Sequence, residues 1–260
     1  MRDARWDGMA ATTLRLLSYN IQAGIGAGRY RDYLTGSWRH VLPDRRTLAN
    51  LDAIARLLRR YDLVGLQEVD GGSLRSAFLD QARYLAHRAG LPWWRLQTTR
   101  RVGQVSHHAN ALLARMRPAA VEEHRLPGAG RGALCARFGP GGEALAVWVV
   151  HLSLGRRARH RQLAYLAERV GGVPHVVVMG DFNCTLASPE LGRFLAATGL
   201  RPAAPAQPTF PSWSPVRAID HVLVGGALAV REAAVLPHRH SDHRPLAVTL
   251  ELPAALAEAA

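Results

Sequence analysis

Two short polar clusters stand at the ends of apolar runs. Met179-Gly180-Asp181-Phe182-Asn183 closes the run 173–179, and Ser241-Asp242-His243-Arg244 opens the apolar stretch 245–252. The first run reads as a buried strand. Buried strands hold side chains at one edge of a sheet with little positional freedom, so polar groups clustered there mark a site. Two acids, one amide and one imidazole are what hydrolysis of a phosphate ester by a bound divalent cation requires.

The same placement recurs along the chain. Asn20 ends the apolar run 14–19, and Glu68 follows the run 62–66. His151 ends the run 144–150, and Asp220 lies inside Ala-Ile-Asp-His-Val-Leu-Val. Each has an ordinary alternative. Asn20 could be a turn former, Glu68 a solvated strand end, and His151 a satisfied core histidine. Asp220 is harder to dismiss, because a buried carboxylate without a partner is costly. Together the coincidences argue for a site.

The elements that must carry these residues alternate in type. Strands are expected at 14–19, 62–66, 110–114, 133–138, 144–150, 176–179, 218–224, 229–236 and 245–252. Helical spacing of apolar residues predicts helices at 48–59, 74–89, 156–170 and 189–197. About ten strands with helices between some of them predict an α/β fold, with two packed sheets and outer helices. Segments 139–142 and 202–215, rich in Gly and Pro, read as surface loops. Asp-Leu-Val-Gly-Leu-Gln-Glu at 62–68 echoes Val-Val-Val-Met-Gly-Asp at 176–181, which hints at duplicated halves. Residues 1–13 are expected to be a flexible N-terminus, 14–252 one domain and 253–260 a frayed tail.

The chain has 260 residues and a formal net charge of +13. It contains no lysine, so the basic side chains are arginines. That pattern fits either a polyanionic partner or a coding bias. The Arg-rich stretches 156–161 and 100–101 suit a polyanion or a solvated face. Cys135 and Cys184 have neither disulfide nor metal spacing. No run of about 18 apolar residues exists to span a bilayer. The charged N-terminus does not read as a secretory signal, and a cytoplasmic monomer is expected.

As an ordered set the motifs resemble the endonuclease/exonuclease/phosphatase superfamily. They are Ser-Tyr-Asn-Ile at 18–21, Leu-Gln-Glu-Val at 66–69, Asn-Ala-Leu-Leu-Ala-Arg at 110–115 and Val-His-Leu at 150–152. Gly-Asp-Phe-Asn at 180–183, Ile-Asp-His-Val at 219–222 and Ser-Asp-His-Arg-Pro at 241–245 complete the set. Val-His-Leu looks more like the deoxyribonuclease I, sphingomyelinase and inositol-phosphatase branches, without the extended inositol-phosphatase signature. The resemblance implies a four-layered α/β sandwich and a phosphoesterase dependent on Mg²⁺ or Mn²⁺. It makes Glu68 the main metal carboxylate, with Asn20 and Asp242 close to the metal. It makes Asp181 the group that orients or deprotonates water, and Asn183 an amide on the phosphoryl oxygens. His243 would contact the scissile phosphate with Asp220 behind it, and His151 would be a general acid. Asn110 would line the phosphate pocket. The substrate is expected to be nucleic acid or a phospholipid head group. A phosphomonoesterase and a catalytically silent binding module are the alternatives.

One further expectation rests on no motif. The irregular segment after Asn20 holds Arg29, Tyr30, Arg31, Tyr33, Trp38, Arg39 and His40. A second segment before Asn110 holds Trp94, Arg95, Arg100, Arg101 and His107. Arginines interleaved with aromatics bind phosphates and stack on bases. Trp38 and Arg39 are therefore expected to bind substrate, unless these aromatics simply pack a long loop onto the fold.

Overall fold

Period-two alternation of large apolar residues divides the strands between two cores. In β1 (Thr13–Asn20), Leu14 and Leu16 face one cluster while Leu17 and Tyr19 face another. The structure, a computed structural model, describes residues 13–26, 45–128, 130–139, 144–171, 173–254 and 256. Trp38 and Arg39, with the rest of the first expected rim, lie outside the described residues.

The first sheet contains β1, β2 (Leu63–Asp70), β3 (Trp93–Val102), β4 (Ser106–Ala114), β11 (Ala229–Val235) and β12 (Leu246–Glu251). The second contains β5 (Ala120–Arg125), β6 (Gly132–Phe138), β7 (Leu145–His151), β8 (His175–Asp181), β9 (Arg201–Pro202) and β10 (Asp220–Gly225). The orders are β11-β12-β1-β2-β4-β3 and β5-β6-β7-β8-β10-β9. Strand for strand, the directions match. One parallel pair, β1–β2 or β7–β8, sits between antiparallel neighbours. The echo between 62–68 and 176–181 is thus a correspondence of position, since β2 and β8 occupy the same place in their sheets.

Each parallel pair needs a crossover, and each has a helix. α1 (Arg45–Leu58) links β1 to β2, and α3 (Arg156–Val170) links β7 to β8. α2 (Gln81–Ala89) and α4 (Pro189–Thr198) complete the outer layers. α1 packs Leu51, Ile54, Ala55 and Leu58 against the first sheet, and α3 packs Leu163 and Leu166 against the second. Between the sheets, Leu16, Leu63 and Leu112 meet Leu134, Val147, Val149 and Met179. Each leucine fully buried there contributes about 1.5–3 kcal/mol. The sheets meet closely at Gly65, where an added Cβ would stand 2.8 Å from the Met179 methyl. The result is the expected four-layered sandwich of helix, sheet, sheet and helix.

Four expectations are corrected. The helix expected at 74–89 is a short 3-10 turn, Leu74–Ser76, followed by α2. Ala77 and Phe78 take positive φ between them, and Asp80 caps α2 by accepting from the Arg83 amide at 3.0 Å. The segment before Asn110 is the regular hairpin β3–β4. Its half-exposed, charged strand lacks the apolar alternation that would announce it. Its tip carries Arg100, Arg101 and His107, but Trp94 and Arg95 lie towards the other end, where Arg95 pairs with Glu123. The exposed edge strand β5 was likewise absent from the expected strands. Finally, Leu252 and Leu256 belong to the inter-sheet core, so the chain past 252 is packed at least at Leu256. No helix among the described residues is long and apolar enough to cross a membrane.

Candidate active site

The matched ends of the two parallel pairs face one another across the sandwich. Asn20 ends β1, Glu68 lies near the end of β2, and His151 and Asp181 end β7 and β8 as register partners. Asp220 opens β10 directly opposite Asp181. Asp242 and His243 precede β12. Six strand ends therefore deliver polar groups to one edge.

Local backbone explains how two of them are aimed. β2 carries an irregularity in its pairing with β4 between Leu66 and Val69, and Glu68 has φ 55°. This left-handed residue turns the Glu68 carboxylate out of the pleat. Its side chain is 33% exposed while Gln67 is buried. Strain of this kind in a non-glycine residue costs about 1–3 kcal/mol and persists where the surroundings enforce it. Gly180 has the second special conformation. With φ +150°, an added Cβ would lie 1.9 Å from the Val150 carbonyl oxygen. No side chain fits there, so β8 can approach β7 and set Asp181 beside His151 only with glycine.

One amide joins carboxylates from both sheets. Asn20 Nδ2 donates to Glu68 Oε1 at 3.1 Å and lies 3.2 Å from Asp181 Oδ2, while Asn20 Oδ1 accepts from the Gln22 amide. Asp181 Oδ1 accepts from the Asn183 amide at 2.8 Å, and Asn183, at φ 53°, donates its side chain to Leu152 O. Asn110 donates to Gly132 O at 2.9 Å, tying β4 to β6. In this arrangement both side-chain amides hold backbone.

His243 Nδ1 lies 2.8 Å from Asp220 Oδ2, and His243 Nε2 lies 3.8 Å from Asp181 Oδ2. Burial opposes charge on His243, but Asp220 and Asp181 outweigh it and hold the imidazolium well above its ordinary pKa. Burial, with Asp220 and Glu68 nearby, pushes Asp181 up against the pull of His243. Burial lifts Asp242 to about 6, with Glu68 adding and His243 opposing. Burial also acts on Glu68, yet His151, the Asn20 hydrogen bond and His243 bring it below its usual value.

His151 meets carboxylates from both sheets. Its Nε2 is 3.5 Å from Asp181 Oδ2 and 3.9 Å from Glu68 Oε1. Its Nδ1 faces Arg131 Nη1 at 3.1 Å. A guanidinium only donates, so Nδ1 accepts and Nε2 carries the hydrogen. Burial and then Arg131 push the His151 pKa down to about 3. A neutral imidazole held this way presents its Nε2 hydrogen towards Asp181 and Glu68.

Several neighbours were not expected from sequence. Arg131 bears directly on His151, and the charges of Glu68 and Asp181 act on it. Thr209 Oγ1 donates to Asp220 Oδ2 at 2.5 Å, the oxygen that His243 also meets. The Phe210 ring lies 4.9 Å from the His243 ring. Ser212 bonds the Ser241 and Asp242 carbonyl oxygens. Segment 209–212, expected in a surface loop, thus buries Thr209 and Ser212 and frames Asp220 and His243. Alternation signalled the opposite fate of His221, which turns to the outer face and bonds Cys184 O at 2.8 Å.

The donors fit a hard divalent cation. The charge of Glu68 raises the pKa of both Asp181 and Asp242, and such crowding of carboxylates is relieved by a cation with oxygen ligands. Asp181, Asp220 and His243 also present ligand atoms within 4.8 Å of one another. The hydrogen bonds from Thr209 and His243 to Asp220 Oδ2 make that trio a relay.

Residues 17–243 match the sequence profile of the Endonuclease/Exonuclease/phosphatase family. The chain is 36% identical to protein YbhP of Escherichia coli (strain K12) over 167 residues, 56% of this chain and 64% of YbhP. It is similar in structure to an endonuclease/exonuclease/phosphatase from Beutenbergia cavernae, with TM-score 0.71 and 20% identity, covering 93% of this chain and 72% of that one. It is also similar to the Bacteroides thetaiotaomicron mannosyl-6-phosphatase Bt3783, with TM-score 0.68 and 19% identity, covering 91% and 99%.

Proposed function

This chain belongs to the endonuclease/exonuclease/phosphatase family, and on that premise we propose that it hydrolyses phosphodiester bonds with the help of Mg²⁺ or Mn²⁺. The observation that carries the reading is the row Asp220–His243–Asp181 facing Glu68, with Asn20 between Asp181 and Glu68. Glu68 and Asp242 would hold the cation, and Asn20 fixes Glu68. The bound ion would neutralise charge on the phosphoryl oxygens and acidify a water.

The chain's own groups then have distinct tasks. Asp181, anchored by the Asn183 amide, orients the attacking water and takes its proton. His243, kept as imidazolium by Asp220, presents Nε2–H to a phosphoryl oxygen. Neutral His151 presents a second N–H beside it, steadied by Arg131. Preorganised donors aimed at developing negative charge supply the largest share of such catalysis. Buried, unpaired Cys135 and Cys184 suit the reducing cytoplasm.

The substrate screen uses purified protein with Mg²⁺. Plasmid DNA, RNA, sphingomyelin, an aryl phosphodiester and an aryl phosphomonoester are compared. Turnover of a diester, lost in Glu68→Gln and reversibly silenced by EDTA, is the expected result. Full activity in excess EDTA overturns the metal assignment. Preference for the monoester overturns the diesterase in favour of a phosphatase, the activity named for the Bacteroides neighbour.

A further inference from the structure

We propose that a recess beside the active site, lined by four arginines, binds the phosphate backbone of a single-stranded nucleic acid whose scissile phosphate lies at His243. The proposal rests on the phosphodiesterase reading and adds the substrate class to it.

The recess has a volume of about 480 Å³ and lies between the starts of α3 and α4. Arg156, Arg157, Arg161 and Arg193 line it, with His160. All five side chains are exposed. Its one carboxylate, Glu190, is buried and already paired with Arg159 at 2.7 Å. Among the described residues, no carboxylate forms an ion pair with Arg156, Arg157, Arg161 or Arg193.

An arginine-rich chain places arginines everywhere, and several exposed ones elsewhere are matched, although Arg101, Arg117 and Arg125 are exposed without a carboxylate partner among the described residues. Arg88 pairs with Asp52, Arg95 with Glu123, Arg137 with Glu122 and Arg231 with Glu251. At the start of α3 four arginines converge on a hollow whose one acid, Glu190, is already paired with Arg159. The first turn of α3 has no acidic residue and no side-chain cap. Cations are disfavoured at a helix N-terminus, where the dipole is positive. Local stability therefore does not account for the cluster, whereas an anion would satisfy both the arginines and the helix end.

Topology places the recess next to the chemistry. α3 starts five residues after His151, and α4 starts six residues after Asn183. A fully extended chain covers roughly 3.5 Å per residue, so both helix starts lie on the edge of the sandwich that holds the site. The turn between is fastened, because Arg159 donates to the carbonyls of Ser153 and Leu154, and Gln162 accepts from the Ser153 amide. One strand can thus set one phosphate at His243 and its neighbours in the recess. Guanidinium forks match phosphate oxygens in pairs. A lipid surface fits less well, since the cations line a hollow and Leu154 is the single large exposed apolar side chain described between 151 and 200.

The test is binding of a fluorescent oligothymidylate in excess EDTA, followed by anisotropy across a salt series. For single strands, log K against log salt has a slope of about −0.7 per phosphate contact. Arg156→Ala/Arg157→Ala/Arg161→Ala/Arg193→Ala should weaken binding and flatten the slope by about 2–3. The same positions changed to Lys should keep most of the slope. Arg137→Ala/Arg231→Ala, on matched arginines, should change neither. Turnover of the aryl phosphodiester should be the same in the wild type and the alanine variant. If the quadruple variant does not fold, Arg157→Gln and Arg161→Gln are read singly, with a change of about 0.7 each. An unchanged slope overturns the proposal, as does a wild type that does not bind the oligonucleotide. So does loss of binding to phosphatidylserine vesicles with oligonucleotide binding intact. Failure of the wild type to turn over any phosphodiester sinks the catalytic reading instead, and leaves the binding result standing.

Discussion

Asn20 holds Glu68 and Asp181 together: one side-chain nitrogen lies 3.1 Å from Glu68 Oε1 and 3.2 Å from Asp181 Oδ2. These carboxylates come from different sheets, so a single amide registers one half of the sandwich against the other. Asn20→Ala leaves both acids without this donor. Loss of such a supporting hydrogen bond typically costs about 10–100-fold in metal affinity or activity. The expected result is a kcat drop in that range, with weaker Mg²⁺ activation. Wild-type kinetics in Asn20→Ala would show that the bridge does not support the site.

Asp220 and His243 form the next testable pair, at 2.8 Å. The folded His243 pKa is raised above that of the unfolded chain. Its stabilising contribution is therefore fully present below about pH 6.5, the unfolded value, and is lost as pH rises through the folded one. Asp220→Asn should lower the His243 pKa and reduce that contribution. NMR titration of the His243 ring in both proteins, without added metal, checks it. Identical pKa values would count against the pairing.

Gly180 is predicted to be irreplaceable. A methyl group there would stand 1.9 Å from Val150 O, and φ is +150°. Gly180→Ala must push β8 from β7 or twist the backbone. The cost is expected to be about 3 kcal/mol or more, which for a chain of this size lowers Tm by roughly 6–12 °C. A Tm within a degree or two of wild type would rule out the close approach.

Asp70 gives a pH effect away from the chemistry. Its carboxylate accepts from Ser73, Ser76 and Arg75 side chains and from the amides of Gly72 and Ser73. Burial raises its pKa, but these donors win and hold it below the usual carboxylate range. The stability it contributes is present above the unfolded pKa of about 4 and is lost as pH falls through the folded value. Asp70→Asn leaves Arg75 buried without its counter-charge, a loss of about 3–5 kcal/mol. Urea unfolding from pH 7 to pH 3 should show the acid-side loss in wild type and a flatter profile in Asp70→Asn.

Sequence alone determined the ladder of strands and the residues at their ends. Apolar runs with polar ends are local patterns, and a strand's length and periodicity translate them directly into position. Asn20, Glu68, His151, Asp181, Asp220 and His243 were legible for that reason. Gly180 was visible in its motif, but its cause, the Val150 carbonyl, was not. Tertiary structure alone decided the rest. The pairing of β3 with β4 made a strand from a segment without apolar alternation, because backbone hydrogen bonds do not require a hydrophobic face. The left-handed turn at Glu68 came from a mismatch between two strands. Arg131 reached His151 across twenty residues of chain, and its donor fixes which ring nitrogen carries the hydrogen. Thr209 and Phe210 came from a stretch with loop composition and met Asp220 and His243. Pairwise contact and desolvation set charge states and roles, and both depend on neighbours that sequence order does not reveal.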